Sequence, residues 1–202
     1  MRTIAVFDFD GTITRKDTLL EFIKFSFGKR AFITGFALHL PFLVAYKLKL
    51  YPNWKVKQMI FSYFYKNTSY DTFIELGRQF KTEINKMLNP NVWQELKKHQ
   101  NNGNDVYIVS ASIYEWIKPW ATENGITHVI STTIETDDKK LITGKFLSKN
   151  CYGKEKVNRF LSEEPNRETY VLYAYGDSNG DKDMFDIADK RFWCKNDKLK
   201  SI

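Results

Sequence analysis

Thr3-Ile4-Ala5-Val6-Phe7 is a short, nearly continuous apolar run, the pattern of a strand covered on both faces in a parallel sheet. Val106-Tyr107-Ile108-Val109 and Tyr170-Val171-Leu172-Tyr173-Ala174-Tyr175 repeat it. Between these runs lie helices with readable ends. Asn89-Pro90 opens one and Gly103 closes it, while Ser112-x-x-Glu115 has the form of a capping box opening the next. The alternation predicts an α/β fold, a mainly parallel sheet flanked by helices, whose ligands bind beyond the carboxyl ends of the strands. Ile134 to Thr143 is expected to form a hairpin around Asp137-Asp138-Lys139-Lys140, and Phe192-Trp193-Cys194 the last strand.

From Thr14 to Ile84 the rhythm changes to consecutive helical segments, punctuated at Gly28, Pro41, Pro52-Asn53 and Asn67-Thr68-Ser69. Residues 14–84 therefore read as a helical cap inserted after the first strand, with 1–13 and 85–202 forming the core. Ala31 to Tyr46 carries no formal charge over sixteen residues and is apolar on nearly every face, so it predicts a helix that is buried or meets lipid. It is shorter than the roughly 20 residues a bilayer requires, and His39 and Pro41 interrupt it, so a spanning helix is not expected. The bland alternative is that Phe32, Phe36, Leu40 and Leu43, at helical spacing, build the cap's own core or a dimer contact.

Composition sharpens this division. With 202 residues and 43% hydrophobic content, the chain can bury a full core and hold a domain with a sizeable insertion. The net charge of +7 is uneven: Phe22 to Tyr70 contains no acidic residue and eight bases, so the rest of the chain sums to −1 (+7 less +8). The same stretch holds 14 of the 32 aromatics. A basic, aromatic block of this kind suits the headgroup region of an anionic membrane, through residues 31–57. Nucleic acid would also attract the charge, but no binding motif accompanies it, and none is expected as a partner. Cys151 and Cys194 have no paired spacing and Met1-Arg2-Thr3-Ile4 is no cleavable signal, which predicts a cytoplasmic protein, with the cytoplasmic face of the membrane as its peripheral location. His39, His99 and His128 are scattered and read as structural.

Four features fall where three strands should end. Asp8-x-Asp10-Gly11-Thr12 follows the first, and Gly11 permits the bend that aims both carboxylates at one site. Ser110 follows the second, where a hydroxyl and backbone N–H groups can hold a phosphoryl oxygen. Lys154 and Lys156 begin a helix, and Gly176-Asp177-Ser178-Asn179-Gly180-Asp181 follows the third strand. Singly each is a common turn or a solvated lysine; in order at strand ends they make a site. Clustered buried carboxylates repel and protonate unless a cation neutralises them, and Mg2+, held by one or two carboxylates, phosphate and water, fits best.

These residues resemble the haloacid dehalogenase superfamily of phosphohydrolases, in the subgroup similar to phosphoserine phosphatase. Its first motif, DxDGT, is met by Asp8 to Thr12, its second by Ser110, its third by a lysine, its fourth, GDxxxD, by Gly176 to Asp181, and its caps follow the first motif. The resemblance implies a Rossmann-like core. It further implies that Asp8 attacks phosphorus to become an aspartyl-phosphate, and that Asp10 protonates the leaving oxygen and then activates water. Mg2+ would be ligated by Asp8, Asp10 (through its carbonyl) and Asp177, with Asp181 completing the site directly or by holding a water and the lysine. Ser110 and the lysine would bind phosphoryl oxygens, with Gly11, Thr12, Asp17, Ala111, Lys154 and Asn179 around the substrate. Lys156 is preferred as the motif lysine because Cys-x-Gly-x-Glu-Lys-Val aligns with membrane-lipid phosphatases of the subgroup; Lys154 is the alternative.

Two positions depart from the phosphoserine phosphatase pattern. Gly180 stands where those enzymes have Asn, and Asp17 where they have a Glu for the substrate ammonium. The substrate is thus expected to be a small phosphorylated metabolite or a lipid headgroup, with phosphoserine and, from the likeness of the cap to that of phosphatidylglycerophosphatase C, phosphatidylglycerophosphate as alternatives. A receiver domain also phosphorylates an Asp on an α/β sheet, but after a middle strand and without a large insertion. A catalytically silent membrane-binding protein would not need the complete motif set. Monomer and homodimer both stay open.

Overall fold

The computed structural model describes residues 1–195 and 197–202. Its main sheet has six strands in the order β3-β2-β1-β6-β7-β8, namely His128–Thr132, Asp105–Ile113, Arg2–Phe7, Tyr170–Gly176, Lys190–Lys195 and Lys198–Ser201. The first five run parallel and β8 returns antiparallel to β7. Around the sheet pack α6 (Pro90–Asn101), α7 (Tyr114–Glu123), α8 (Lys154–Glu163) and α9 (Lys182–Ile187). The buried runs Ile4–Phe7, Val106–Val109 and Leu172, Ala174 and Tyr175 lie at the centre, as two-sided coverage requires. Strand order reverses direction at the β1–β6 boundary, so the crevice above those two strands is the natural ligand position.

Several expected boundaries moved. Asn89 does cap α6, its side chain accepting from the N–H groups of Asn91 and Val92, and the turn beyond the helix holds Gly103 at φ +71. Ser112, however, opens no helix: β2 runs on to Ile113, Ile113 precedes α7 without a side-chain cap, and the Ser112 hydroxyl pairs with that of Thr18 at 2.9 Å. Tertiary pairing with β3, through Ser110 opposite Ser131, extends the strand beyond its apolar run. Phe192-Trp193-Cys194 lies in β7 but is not the last strand, because Leu199 in the otherwise polar Lys-Leu-Lys-Ser segment pairs opposite Cys194. A lysine-rich edge of this kind carries little apolar signal. The hairpin around Asp137–Lys140 is present as β4 (Ile134–Thr136) and β5 (Ile142–Phe146), a separate two-stranded sheet.

Between β1 and α6 come five helices: α1 (Thr18–Leu38), α2 (Leu40–Lys47), α3 (Asn53–Tyr65), α4 (Tyr70–Gln79) and α5 (Lys81–Lys86). The two crossings into this insertion are tied by Asn89 N–H to Ile13 and Arg15 N–H to Met87, both at 2.8 Å. The β4–β5 hairpin joins it from the other side, with Asn67 N–H donating to Ile142 at 2.8 Å and Phe146 N–H to the Gln58 amide oxygen at 3.1 Å. Ala31 to Tyr46 is not one helix. Gly28 (φ +79, ψ 166) kinks α1, where only glycine tolerates the backbone, and the chain breaks again at His39, so that Pro41 sits in the first turn of α2. No helix among the described residues is long and apolar enough to cross a membrane.

The joint between insertion and core contains an unusual carboxyl. Glu115, in the first turn of α7, is 4% exposed. The Tyr70 hydroxyl meets one oxygen at 3.5 Å, and the other has no hydrogen-bond partner among the described residues. Burial pushes this carboxyl up to about 7. Because the folded value lies above the unfolded one, the folded state holds an extra proton between them, and stability falls as pH rises from about 4.5 to 7. Glu115→Gln is expected to raise the unfolding free energy by about 1–3 kcal/mol at pH 8 while changing it little at pH 4.5. Urea melts at the two pH values read this directly; equal effects at both would contradict it.

Candidate active site

Asp8 directly follows β1 and is tied to the end of β6 by its N–H donating to Tyr175 at 2.9 Å. The chain then turns back, with Thr12 and Thr14 N–H groups both donating to Phe9, and Gly11 at φ +80 closes the turn. A Cβ at Gly11 would stand 2.3 Å from an Asp177 carboxylate oxygen, so this glycine admits Asp177 rather than substrate. Thr12 is likewise turned inward, fully buried, with its hydroxyl 3.5 Å from Asp177. The strand reversal thus brings the carboxylates after β1 and β6 together. One oxygen each of Asp8, Asp177 and Asp181 lie within 4.8 Å of one another.

Lys156 is buried in the first turn of α8, and its ammonium bonds Asp8 at 2.6 Å and Asp181 at 2.7 Å. Lys154 is exposed and has no place in the cluster. Burial alone would lower the Lys156 pKa, but Asp8 and Asp181 outweigh it and hold the charge firmly on. One cation for three carboxylates leaves the locus strongly negative. Burial lifts Asp8 to about 6, opposed by Lys156 and reinforced by Asp181, and lifts Asp177 to about 7, reinforced by Asp8 and Asp181. Hard oxygen donors with excess negative charge fit a divalent cation. Asp181 is less free to ligate than Asp8 or Asp177. Its second oxygen accepts from the N–H groups of Asp177 and Ser178 and from the Ser178 hydroxyl, fixing the loop and the lysine together.

The Asp10 carboxylate is not one of these three grouped carboxylates. One oxygen accepts from the Thr18 hydroxyl at 2.6 Å and the Thr18 N–H at 2.9 Å, and Trp116 and Ser112 hold that hydroxyl in turn at 3.1 and 2.9 Å. Burial, with Asp17 adding repulsion, lifts Asp10 to about 7, so the group exchanges a proton near neutrality. Ser110 is buried in β2, and its oxygen accepts the Ser112 N–H at 3.1 Å, leaving its own proton to donate. Both Asp10 and Ser110 line a cavity of about 450 Å3, together with Asp8, Ala111, Lys156 and Asp177. Beyond Asn53, Asn150 and Tyr152, which border both spaces, lies a groove of about 750 Å3 walled by Trp54, Phe146 and Leu147.

Among the expected substrate contacts, Ala111 lines the cavity, but Asn179 does not: it is exposed on the loop after β6. Asp17 borders the cavity, yet one of its oxygens is engaged as the cap of α1 by the Leu19 and Leu20 N–H groups. Two residues of the site stand outside the motifs. Thr18 carries no motif. Lys57 was one base among eight, although its place beside the buried Val56 and Ile60 marks it as facing inward. Its ammonium reaches from α3 to the Ala111 carbonyl at 2.5 Å, where desolvation lowers its pKa against the pull of Asp10 and Asp17.

An α/β sheet with this acid–lysine–hydroxyl set at its carboxyl edge defines a hydrolase of the haloacid dehalogenase type. The haloacid dehalogenase-like hydrolase family matches residues 5–186, and the chain belongs to it. Protein CicA of Caulobacter vibrioides is 31% identical over 189 residues, covering 93% of this chain and 84% of that protein. A Bordetella pertussis Tohama I protein of unknown function has the same fold at TM-score 0.79, with 18% identity over 95% of this chain and 89% of its own. A phosphoserine phosphatase in a phospho-aspartyl intermediate analogue state aligns at TM-score 0.61, with 17% identity over 94% of this chain and 85% of its own.

Proposed function

We propose that this protein is a Mg2+-dependent phosphomonoester hydrolase that works through an aspartyl-phosphate on Asp8. The observation that carries the reading is the pairing of two differently held carboxyls on the wall of one cavity. Asp8 is bonded by the Lys156 ammonium at 2.6 Å, whereas Asp10, two residues on, accepts from the Thr18 hydroxyl at 2.6 Å and is lifted by burial to about 7. Asp8 therefore serves as nucleophile, and Asp10 gives its proton to the leaving oxygen and takes one from the water that clears the intermediate. Lys156 and the Ser110 hydroxyl bind phosphoryl oxygens and orient the ester for in-line attack. Asp8, Asp177 and the Asp10 carbonyl would hold Mg2+, with Asp181 positioning Lys156 and the loop. When bound, Mg2+ supplies the positive charge that lets an anionic nucleophile meet a dianionic phosphate.

The leaving group faces the insertion, where Phe36, Leu43 and Ile60 form an apolar wall and Lys57 supplies one cation. That combination favours a phosphorylated metabolite or lipid headgroup with an anionic or amphiphilic remainder. The engagement of Asp17 in capping α1 weighs against an ammonium group as the recognised feature. Phosphate release from 4-nitrophenyl phosphate, glycerol 3-phosphate and phosphoserine, with Mg2+ and with excess EDTA, tests the reading. Turnover is expected to need Mg2+, and Lys57→Met to raise KM for glycerol 3-phosphate more than for the aryl ester. No Mg2+-dependent release from any of the three esters would overturn it.

A further inference from the structure

The most anomalous surface is the arm formed by α2 and its flanking turns. Among the described residues, nine of the 15 large hydrophobics that stand exposed fall between Ile33 and Trp54. Leu38, Leu40, Leu48 and Leu50 are 61%, 57%, 64% and 76% exposed. The helix α2, Leu-Pro-Phe-Leu-Val-Ala-Tyr-Lys, has no buried residue at all. Part of the arm does serve the insertion's own packing, since Phe32, Phe36 and Leu43 pack on its core. The remainder faces outward, and a soluble monomer rarely exposes contiguous apolar surface of this kind without an occupant.

Charge selects the occupant. Lys29, Arg30, Lys47, Lys49 and Lys55 stand exposed around the apolar residues, and Phe22 to Tyr70 offers no acidic residue to neutralise them. A second copy of the chain would meet this face with the same bases, because a two-fold interface is made of the same patch twice. An anionic bilayer presents the opposite charge and an apolar layer beneath it. Tyr51 and Trp54, with the Lys55 ammonium 6.0 and 5.5 Å from their rings, add the amphipathic aromatics that settle at headgroup depth.

We propose that residues 33–54 form a docking arm that seats this protein on the surface of an anionic lipid bilayer. Tyr46, on the same arm, borders the catalytic cavity, so docking brings the cavity wall to the lipid surface. The arm binds without spanning.

Flotation of the full chain with vesicles tests this without substrate, so it stands apart from the test of the reaction. The protein is expected to float with phosphatidylcholine/phosphatidylglycerol vesicles, to bind phosphatidylcholine vesicles far less, and to be released by high salt. The exposed triple variant L40S/L48S/L50S and the charge variant K47E/K49E are each expected to weaken binding by about tenfold or more. Both should keep the circular dichroism and aryl phosphate turnover of the parent. Failure of the parent to bind anionic vesicles, or unchanged binding by both variants, would overturn the proposal. So would a concentration-dependent dimer in sedimentation velocity that the leucine variant dissolves, which would assign the face to a second copy.

Discussion

Asp8→Asn is expected to abolish phosphate release, by a factor on the order of 10⁴ or more in kcat, because the amide offers no anionic oxygen to attack phosphorus. The loss should come without unfolding. Lys156 retains Asp181 at 2.7 Å, and removing one of the clustered carboxylates relieves repulsion on Asp177 and Asp181. The thermal midpoint of the variant is therefore expected to equal or exceed that of the parent, and the phosphorylated species trapped by acid quench in the parent to vanish. Substantial turnover by the folded variant would remove Asp8 from the nucleophile's role. A fall in the midpoint would show instead that the Asp8–Lys156 pair holds the fold.

Lys156→Met acts on stability and chemistry together. It leaves Asp8 and Asp181 buried without their cation, and breaking a buried pair in this way costs about 3–5 kcal/mol of unfolding free energy at neutral pH. The sign of its pH dependence follows from Asp8, which Lys156 holds down against burial. Without Lys156 the folded-state value rises further above the unfolded 3.8, so the folded variant takes up a proton that the unfolded chain does not. The variant thus loses stability as pH climbs from about 4, and its deficit against the parent should shrink near pH 5. Turnover should fall by about 10²–10³ even where the variant is folded, since a phosphoryl oxygen loses its charged partner. Denaturant melts at pH 5 and 7.5, read beside initial rates, separate the two effects. A stability loss independent of pH would mean that Lys156 acts through packing alone.

Much of the site was legible because it depends on short range. Asp8 and Asp10 follow an apolar strand, and Gly11 announces the bend between them; Asp177 and Asp181 follow another strand in the same way. Less legible is whatever depends on a residue's exposure or on distant pairing. The motif favours Lys156 over Lys154, and the packing of α8 against the sheet buries Lys156 and turns Lys154 outward. The motif predicts Asn179 beside the substrate, yet the turn after β6 brings Ser178 to the cavity and leaves Asn179 outside. Ser112 had the spacing of a cap, but pairing across the sheet kept it in the strand.

The sequence by itself determined the alternation of strands and helices, the basic aromatic insertion and the carboxylates at two strand ends, since periodicity, turn chemistry and charge are local properties of the chain. Tertiary structure alone decided that Thr18 holds Asp10, that Lys57 reaches down to Ala111, and that α2 stands exposed. Each of these rests on the packing of elements far apart in sequence, where burial and distance set the energy of a charge or an apolar side chain, and neither quantity is written in its immediate neighbours.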